Sequence, residues 1–256
     1  TVMVIGFVNS GLMKLNQAIA ITLGANIGTS ITGWILCLSY IEGSAGIAKL
    51  LSSATISAIA AIAGILCRML SKRSVHRSLG NILLGFAVLM VGMQMMSAAV
   101  SPLKDSAVFT RTITMFANPF LGILLGIVMT AVLQSASAST GILQALSVTG
   151  ALTFATAFPV ILGIGVGASC PVLLSAIGAN RNGKRTALVY LIFNLAGATV
   201  LMIPFYILHG IIGFGLMSQM ATSMGIAITN TVFKVAATVL LAPFAALLQR
   251  LVTAIV

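Results

Sequence analysis

Three short strings hold most of the polar chemistry in this otherwise apolar sequence. They are Gln134-Ser135-Ala136-Ser137-Ala138-Ser139-Thr140, Gly24-Ala25-Asn26-Ile27-Gly28-Thr29-Ser30, and Gly163-Ile164-Gly165-Val166-Gly167-Ala168-Ser169-Cys170-Pro171. A hydroxyl donates to an anion's oxygens and offers its own oxygen to a hard cation, and a carboxamide can do both as well. Clustered glycine and proline loosen a helix. Carbonyls freed in this way coordinate cations, and a restarted helix aims N–H groups at an anion. The chemistry on offer is reversible binding of small ions. Each string also has a plainer use. Serines cap helices or bond back to the preceding turn, while Gly24-x-x-x-Gly28 and Gly163-x-x-x-Gly167 let helices pack closely. Singly, the glycine strings read as packing; as a pair, each with a serine-rich hairpin nearby, they read as a binding site.

Covalent and acid–base chemistry lack material. The carboxylates are Glu42 and Asp105, both between apolar runs, so no acid–base pair can be assembled. Gly178-x4-Gly183-Lys184 resembles a P-loop, but Arg185 stands where Ser or Thr is required and no strand precedes it. Cys37, Cys67 and Cys170 are odd in number, lie in or at the ends of apolar runs and lack metal-ligand spacing, so they read as packing residues. Neither an enzyme nor a cofactor is expected.

The elements that position the strings are dictated by their solvent. Of 256 residues, 59% are hydrophobic and 6% charged, with a mean hydropathy of +1.18, against about 25% charged in a soluble domain. Lipid must be that solvent, and the expectation is an all-α integral membrane protein, multi-pass, with a single transmembrane domain over 1–256. Apolar runs at about 15–38, 46–67, 79–100, 152–178, 187–208 and 224–248 each reach the roughly 20 residues that a spanning helix needs. The stretches 118–133 and 137–149 are too short to span singly and flank the Gln134 string. They predict a re-entrant helical hairpin with a polar tip, which is tolerated where protein or a cavity surrounds it. Residues 1–12 read as the second arm of another hairpin, so a further arm and span are expected before Thr1. The two glycine strings predict interrupted transmembrane helices.

A net charge of +11 would suit nucleic acid, but the basic residues sit in short loops and form no face interleaved with aromatics. No nucleic-acid partner is expected; excess Lys and Arg marks cytoplasmic loops instead. Arg68, Lys72, Arg73 and Arg77 mark one such loop and Arg181, Lys184 and Arg185 another, with Lys14 and Arg250 on the same side. The loops 39–45, with Glu42, and 101–117, with Lys104, Asp105 and Arg111, then face outward. The crossings agree if 118–149 enters and leaves from outside.

Shifted by 139 positions, the sequence meets itself: Thr1 with Thr140, Gly11 with Gly150, Ala18 with Ala157, Leu23 with Leu162, Gly24 with Gly163, Gly28 with Gly167 and Ser30 with Ser169. Residues 1–100 become a first repeat, incomplete at its N-terminus, and 101–256 a second of opposite orientation. Inverted repeats carrying interrupted helices recur in secondary transporters, with the site at mid-membrane between them.

At these residues the chain resembles the sodium/phosphate cotransporter family, the bacterial relatives of the type II renal and intestinal carriers. The likeness rests on Gln134–Thr140, preceded by Asn118-Pro119-Phe120-Leu121-Gly122, and on Gly24–Ser30, preceded by Thr1-Val2-Met3-Val4-Ile5-Gly6-Phe7-Val8-Asn9; it extends over nearly the whole chain. The resemblance implies an inverted-repeat secondary transporter in the cell inner (plasma) membrane that couples Na⁺ to movement of inorganic phosphate. It carries ion and phosphate binding onto Ser135 and Ser137, with Ser139 at a Thr place. The full expected binding set is Gln134, Ser135, Ser137, Ser139, Thr140, Asn26, Thr29, Ser30 and Ser169, with Ser135, Ser137, Asn26 and Thr29 as Na⁺ ligands. Burying a phosphate dianion is costly, so helix N-termini and co-bound Na⁺ are expected to offset it. Some relatives carry a PhoU-like C-terminal domain, so a PhoU-like cytoplasmic regulator is an expected partner. Competing readings are a carrier of another oxyanion and a non-transporting phosphate sensor or subunit.

The chain departs from the family pattern in three places. Thr1 holds the last place of the first Gln-Ser motif, Ala136 replaces the middle serine of the second, and Phe193-Asn194 is echoed at Phe233-Lys234, where the family usually has Asn. Lys234 has two readings. A cation inside a span is expensive and often functional, and this one can hold phosphate. Yet it lies about ten residues into its run, where its long stem can snorkel toward an interface, and that is the plainer reading.

Overall fold

The computed structural model describes residues 1–40 and 52–256; Glu42 and Lys49, with most of the 39–45 loop, lie outside the described residues. In lipid a spanning segment must satisfy its own backbone, and an apolar run can do so as a helix. The chain accordingly runs α1 (Val2–Asn9), α2 (Leu15–Cys37), α3 (Ser53–Leu70), α4 (Ser74–Val100), α5 (Ala107–Met115), α6 (Pro119–Leu133), α7 (Ala136–Ser147), α8 (Phe154–Gly167), α9 (Ser169–Ser175), α10 (Arg181–Ile212), α11 (Ser223–Leu241) and α12 (Ala245–Ile255), with short 3-10 turns between some of them. Among the described residues six helical stretches are long and apolar enough to cross a membrane: Leu15–Tyr40, Ser53–Leu70, Ser74–Leu103, Phe154–Ser175, Arg181–Ile212 and Ser223–Ile255. They follow the six apolar runs of the sequence. The protein is an all-α, multi-pass membrane protein, and side chains such as Ile31, Val88 and Ile211 point outward as a lipid-facing surface does.

The predicted hairpin forms from α6 and α7. The Asn118 side chain accepts from the backbone N–H groups of Phe120 and Leu121, and Pro119 opens α6, a position where its missing N–H costs nothing. Gln134 then turns left-handed (φ 53°) and ends α6. Ser135 is extended, and its Oγ caps α7 by accepting from the Ala138 N–H at 3.2 Å. Thr130, one turn before this break, donates to Ser139, one turn after it, at 3.0 Å. The chain therefore doubles back at Gln134-Ser135.

Arm α6 lies against α8, the most enclosed of the spans. Glycine faces glycine there. A Cβ on Gly126 would stand 2.2 Å from the Val160 carbonyl oxygen, and one on Gly163 would stand 2.1 Å from that of Ile123. The crossing closes to backbone contact because small residues leave nothing between the helices. Elsewhere, α2, α10 and α11 share a core of Ile19, Leu23, Val189, Phe193 and Ala237, and α1 lays Ile5 on Val172, Ala176 and Ala187.

Two expectations need correction. The first glycine string does not interrupt its helix, since α2 runs unbroken from Leu15 to Cys37. Gly24 and Gly28 have no neighbour within 4 Å of an added Cβ, so they serve no close crossing either. Thr29 and Ser30 bond back to the carbonyls of Asn26 and Ile27, the plainer use of a helical hydroxyl. The second string breaks only at Ala168, between α8 and α9, three residues before the N–H-deficient Pro171. The second correction concerns 101–117, read as a loop: it holds a 3-10 turn and α5, which meets α6 at 104°. Ser106 caps α5 through the Phe109 N–H at 3.2 Å, so the segment has its own helix start signal.

The basic ends gather partly as the charge pattern expects. The Arg185 guanidinium reaches the Thr253 carbonyl of α12, which also carries Arg250. Asn9, the last residue of α1, receives two hydrogen bonds from Asn180 at the start of α10.

Candidate ion-binding site

A seam between α2 and α11 holds the largest set of buried polar groups. The two helices run antiparallel, with Gly33 against Ala227 and Asn230, and Trp34 Nε1 donating to Thr231. On α2, Thr22, Asn26 and Ser30 are buried, one turn apart along one face; on α11, Asn230, Lys234 and Thr238 repeat that spacing. The Lys234 Nζ donates to Thr29 Oγ1, which itself donates to the Asn26 carbonyl at 2.8 Å. Lys234 is 4% exposed and, among the described residues, has no carboxylate partner. It does not snorkel.

Several of these groups are under-satisfied. The carboxamides of Asn26 and Asn230, 2% and 3% exposed, make no hydrogen bond among the described residues, and the Thr22 hydroxyl is buried without a partner. Further along, the Gln144 amide of α7 donates to the carbonyls of Gly33 and Ser223 at 3.1 Å each, and to the Cys37 sulfur. Its Oε1 is again buried and unpartnered. From Thr22 to Cys37 the column runs roughly 22 Å at 1.5 Å per helical residue. An orphaned buried polar group costs about 1–3 kcal/mol, so such a series calls for an explanation.

A second polar line joins the hairpin tip to α9. Thr130 and Ser139 are both fully buried and bonded to each other, and Ser139 also donates to the Ser135 carbonyl at 3.0 Å. Gly167 lies against Thr130, where an added Cβ would be 2.8 Å from the threonine's own. Two residues on, the buried Ser169 hydroxyl accepts from Asn194 Nδ2 at 3.3 Å. Thr140 bonds back to the Ala136 carbonyl.

The expected residues thus divide. Asn26, Thr29 and Ser30 lie on the α2–α11 seam, and Ser139 and Ser169 on the second line. Ser135 and Ser137 line a mainly apolar cavity of about 470 Å³ with Thr32, Leu36, Met93 and Met96, and Gln134 is exposed at the reversal. Ser135 spends its oxygen on the α7 cap, while the Ser137 hydroxyl makes no hydrogen bond among the described residues. Sequence reasoning left Thr130, Gln144, Asn194, Asn230 and Lys234 out of the set. A usable signal existed for each: Thr130, Gln144, Asn194 and Lys234 are polar residues set in apolar runs, and Asn230 stands one helical turn before Lys234. Groups of His, Cys, Asp or Glu able to hold a metal are absent among the described residues; the groups at hand are neutral oxygens, amides and the Lys234 amine, of which the oxygens suit an alkali cation and the N–H and O–H donors an oxyanion.

The sequence pattern of a family described as Na⁺/Pi-cotransporter matches residues 1–98 and again 88–226. The Bacillus subtilis protein YqeW, whose function is uncharacterized, is 25% identical over 254 residues, 98% of this chain and 76% of its own length. The putative inorganic phosphate export protein YjbB of Escherichia coli is 24% identical over 206 residues, 80% of this chain and 35% of its own. The human sodium-dependent phosphate transport protein 2B is 30% identical over 130 residues, 47% of this chain and 19% of its own. The chain therefore spans about a third of YjbB and a fifth of the human carrier. No solved structure matches it.

Proposed function

Because the chain belongs to the Na⁺/Pi-cotransporter family, matched across residues 1–98 and 88–226, we propose that it is the membrane core of a secondary carrier coupling Na⁺ to the movement of inorganic phosphate across the cell inner membrane. The observation that carries this reading is the α2–α11 seam, a column of buried hydroxyls and carboxamides with unused hydrogen-bonding capacity in a lipid-embedded bundle. Phosphate oxygens accept from hydroxyl and amide donors, and Na⁺ takes hydroxyl and carbonyl oxygens, so neighbouring polar groups serve both ions. Each ion makes the other's desolvation tolerable, and this is the physical basis of coupling. In this reading Asn26 and Ser30 on the seam, Ser139, Thr140 and Ser169 on the second line, and Gln134, Ser135 and Ser137 at the reversal contribute ligands as the carrier changes its facing.

An inverted repeat accompanies the proposal, with residues 1–100 in one copy and 101–256 in the other. Two features support it. Gly11 and Gly150 both take positive φ, 77° and 68°, and α2 and α8 each begin four residues later. The contact of Ile5 with Val172 and Ala176 matches, under the shift of 139, that of Gln144 with Gly33 and Cys37.

The test is radiolabelled phosphate flux in proteoliposomes of the full-length protein, in both directions, with and without a Na⁺ gradient, and with sulfate and arsenate as competitors. Uphill phosphate movement that collapses with the gradient is expected. Flux of another oxyanion in preference would move the assignment to that ion, and no flux would favour a sensor or subunit, in which a PhoU-like cytoplasmic regulator would receive the signal. Similarity to a protein named for phosphate export makes the outward arm of the assay as informative as the inward one.

A further inference from the structure

The mid-helix lysine of α11 is the one feature of the seam that an ordinary Na⁺-and-phosphate site does not require. Its ammonium has three donors, of which one goes to Thr29 Oγ1. It is nine-tenths buried and without an ion-pair partner among the described residues. One turn earlier on its own helix stands Asn230, and one turn earlier on the facing helix Asn26, each with a free, buried carboxamide. A buried ammonium with nothing to oppose it is strongly disfavoured, and a snorkelling explanation fails because the side chain is buried and its amine is bonded to Thr29. What this part of the seam lacks is a negatively charged group with several acceptor oxygens.

We infer that Lys234 is the resident counter-cation of the oxyanion site, binding the substrate directly between Asn26 and Asn230 and standing in for one mobile coupling cation. The inference rests on reading the seam as a substrate pathway. Thr29 lends it weight: the oxygen expected to coordinate Na⁺ accepts from the lysine instead, while its proton goes to the Asn26 carbonyl. A fixed positive charge supplies part of the neutralisation that an oxyanion otherwise draws from Na⁺. Substrate binding should therefore persist at low Na⁺, and its Na⁺ dependence should be shallower by about one ion than in a neutral variant.

Binding of radiolabelled phosphate, and separately of sulfate, to the full-length protein in nanodiscs tests this, in choline and at saturating Na⁺. The variants are Lys234→Asn and Lys234→Met, the second keeping the stem should the first fail to fold, with size-exclusion profiles as the folding check. Wild type should bind phosphate in choline. Removing the charge should weaken that binding about thirtyfold or more. High Na⁺ should restore most of it, with a steeper Na⁺ dependence, and Lys234→Arg should retain binding in choline. If either folded neutral variant binds phosphate as wild type does at every Na⁺ concentration, Lys234 is not the counter-cation, although the phosphate reading survives. If wild type ignores phosphate but binds sulfate through Lys234, the counter-cation stands and the phosphate assignment falls. Binding of neither anion by wild type would overturn both.

Discussion

Gly163→Ala tests the α6–α8 crossing, on which the position of the hairpin tip depends. The added Cβ would lie 2.1 Å from the Ile123 carbonyl oxygen and 2.9 Å from its Cα, against ordinary contact from 3.4 Å. The obstacle is backbone, so no rotamer change relieves it, and α6 must retreat by roughly 1 Å. Retreat also loosens the contacts of Gly122, Gly126 and Gly167, which hold the same arm. Overpacking of this kind costs about 1–3 kcal/mol, occasionally more, and the upper end applies when a helix must move as a body. Gly24→Ala, at the matching position of the shifted sequence, is the control. Nothing lies within 4 Å of its Cβ, and alanine favours a helix by about 1 kcal/mol over glycine. Detergent-purified proteins would be heated and the surviving monodisperse fraction read by size exclusion. Gly163→Ala should fall at clearly lower temperature, and Gly24→Ala at the wild-type temperature or above. Equal melting of Gly163→Ala and wild type, or an equal loss in Gly24→Ala, would refute the account of the crossing.

Other perturbations have equally direct readouts. Losing a hydrogen bond to a charged ligand costs about 1.5–3 kcal/mol, so Ser135→Ala and Ser137→Ala should weaken Na⁺-dependent phosphate uptake about ten- to hundredfold at normal expression; unchanged uptake in both would mean that these serines only shape the hairpin. Gln144→Leu removes the amide that ties α7 to Gly33 and Ser223 and should lower thermal stability by about 1–3 kcal/mol; wild-type stability would show that the tie is not needed. Single cysteines at Lys72 and Arg181 should react with membrane-impermeant thiol reagents only from the cytoplasmic side, and one at Ser106 only from outside; any inversion would break the charge-based topology.

The sequence alone determined the solvent, and with it most of the architecture. In lipid a long apolar run satisfies its backbone as a helix, so all six spans were legible, with the ends that fall among the described residues placed to within about seven residues. The hairpin was legible too, because Asn118-Pro119 and the serine string are local start and stop signals that act through neighbouring backbone groups. Glycine strings are different. Gly24–Ser30 and Gly163–Ser169 read alike, yet one lies in a continuous helix with open space at its glycines and the other in a backbone-to-backbone crossing. A missing Cβ permits close approach but does not say what approaches; the partner helix decides. The same holds for Lys234. Sequence placed it inside a span and left its stem free to reach either way, and only the antiparallel packing of α2 on α11 put Thr29 within reach of its amine. Long side chains are committed by tertiary contacts, since their own backbone leaves several rotamers of similar energy.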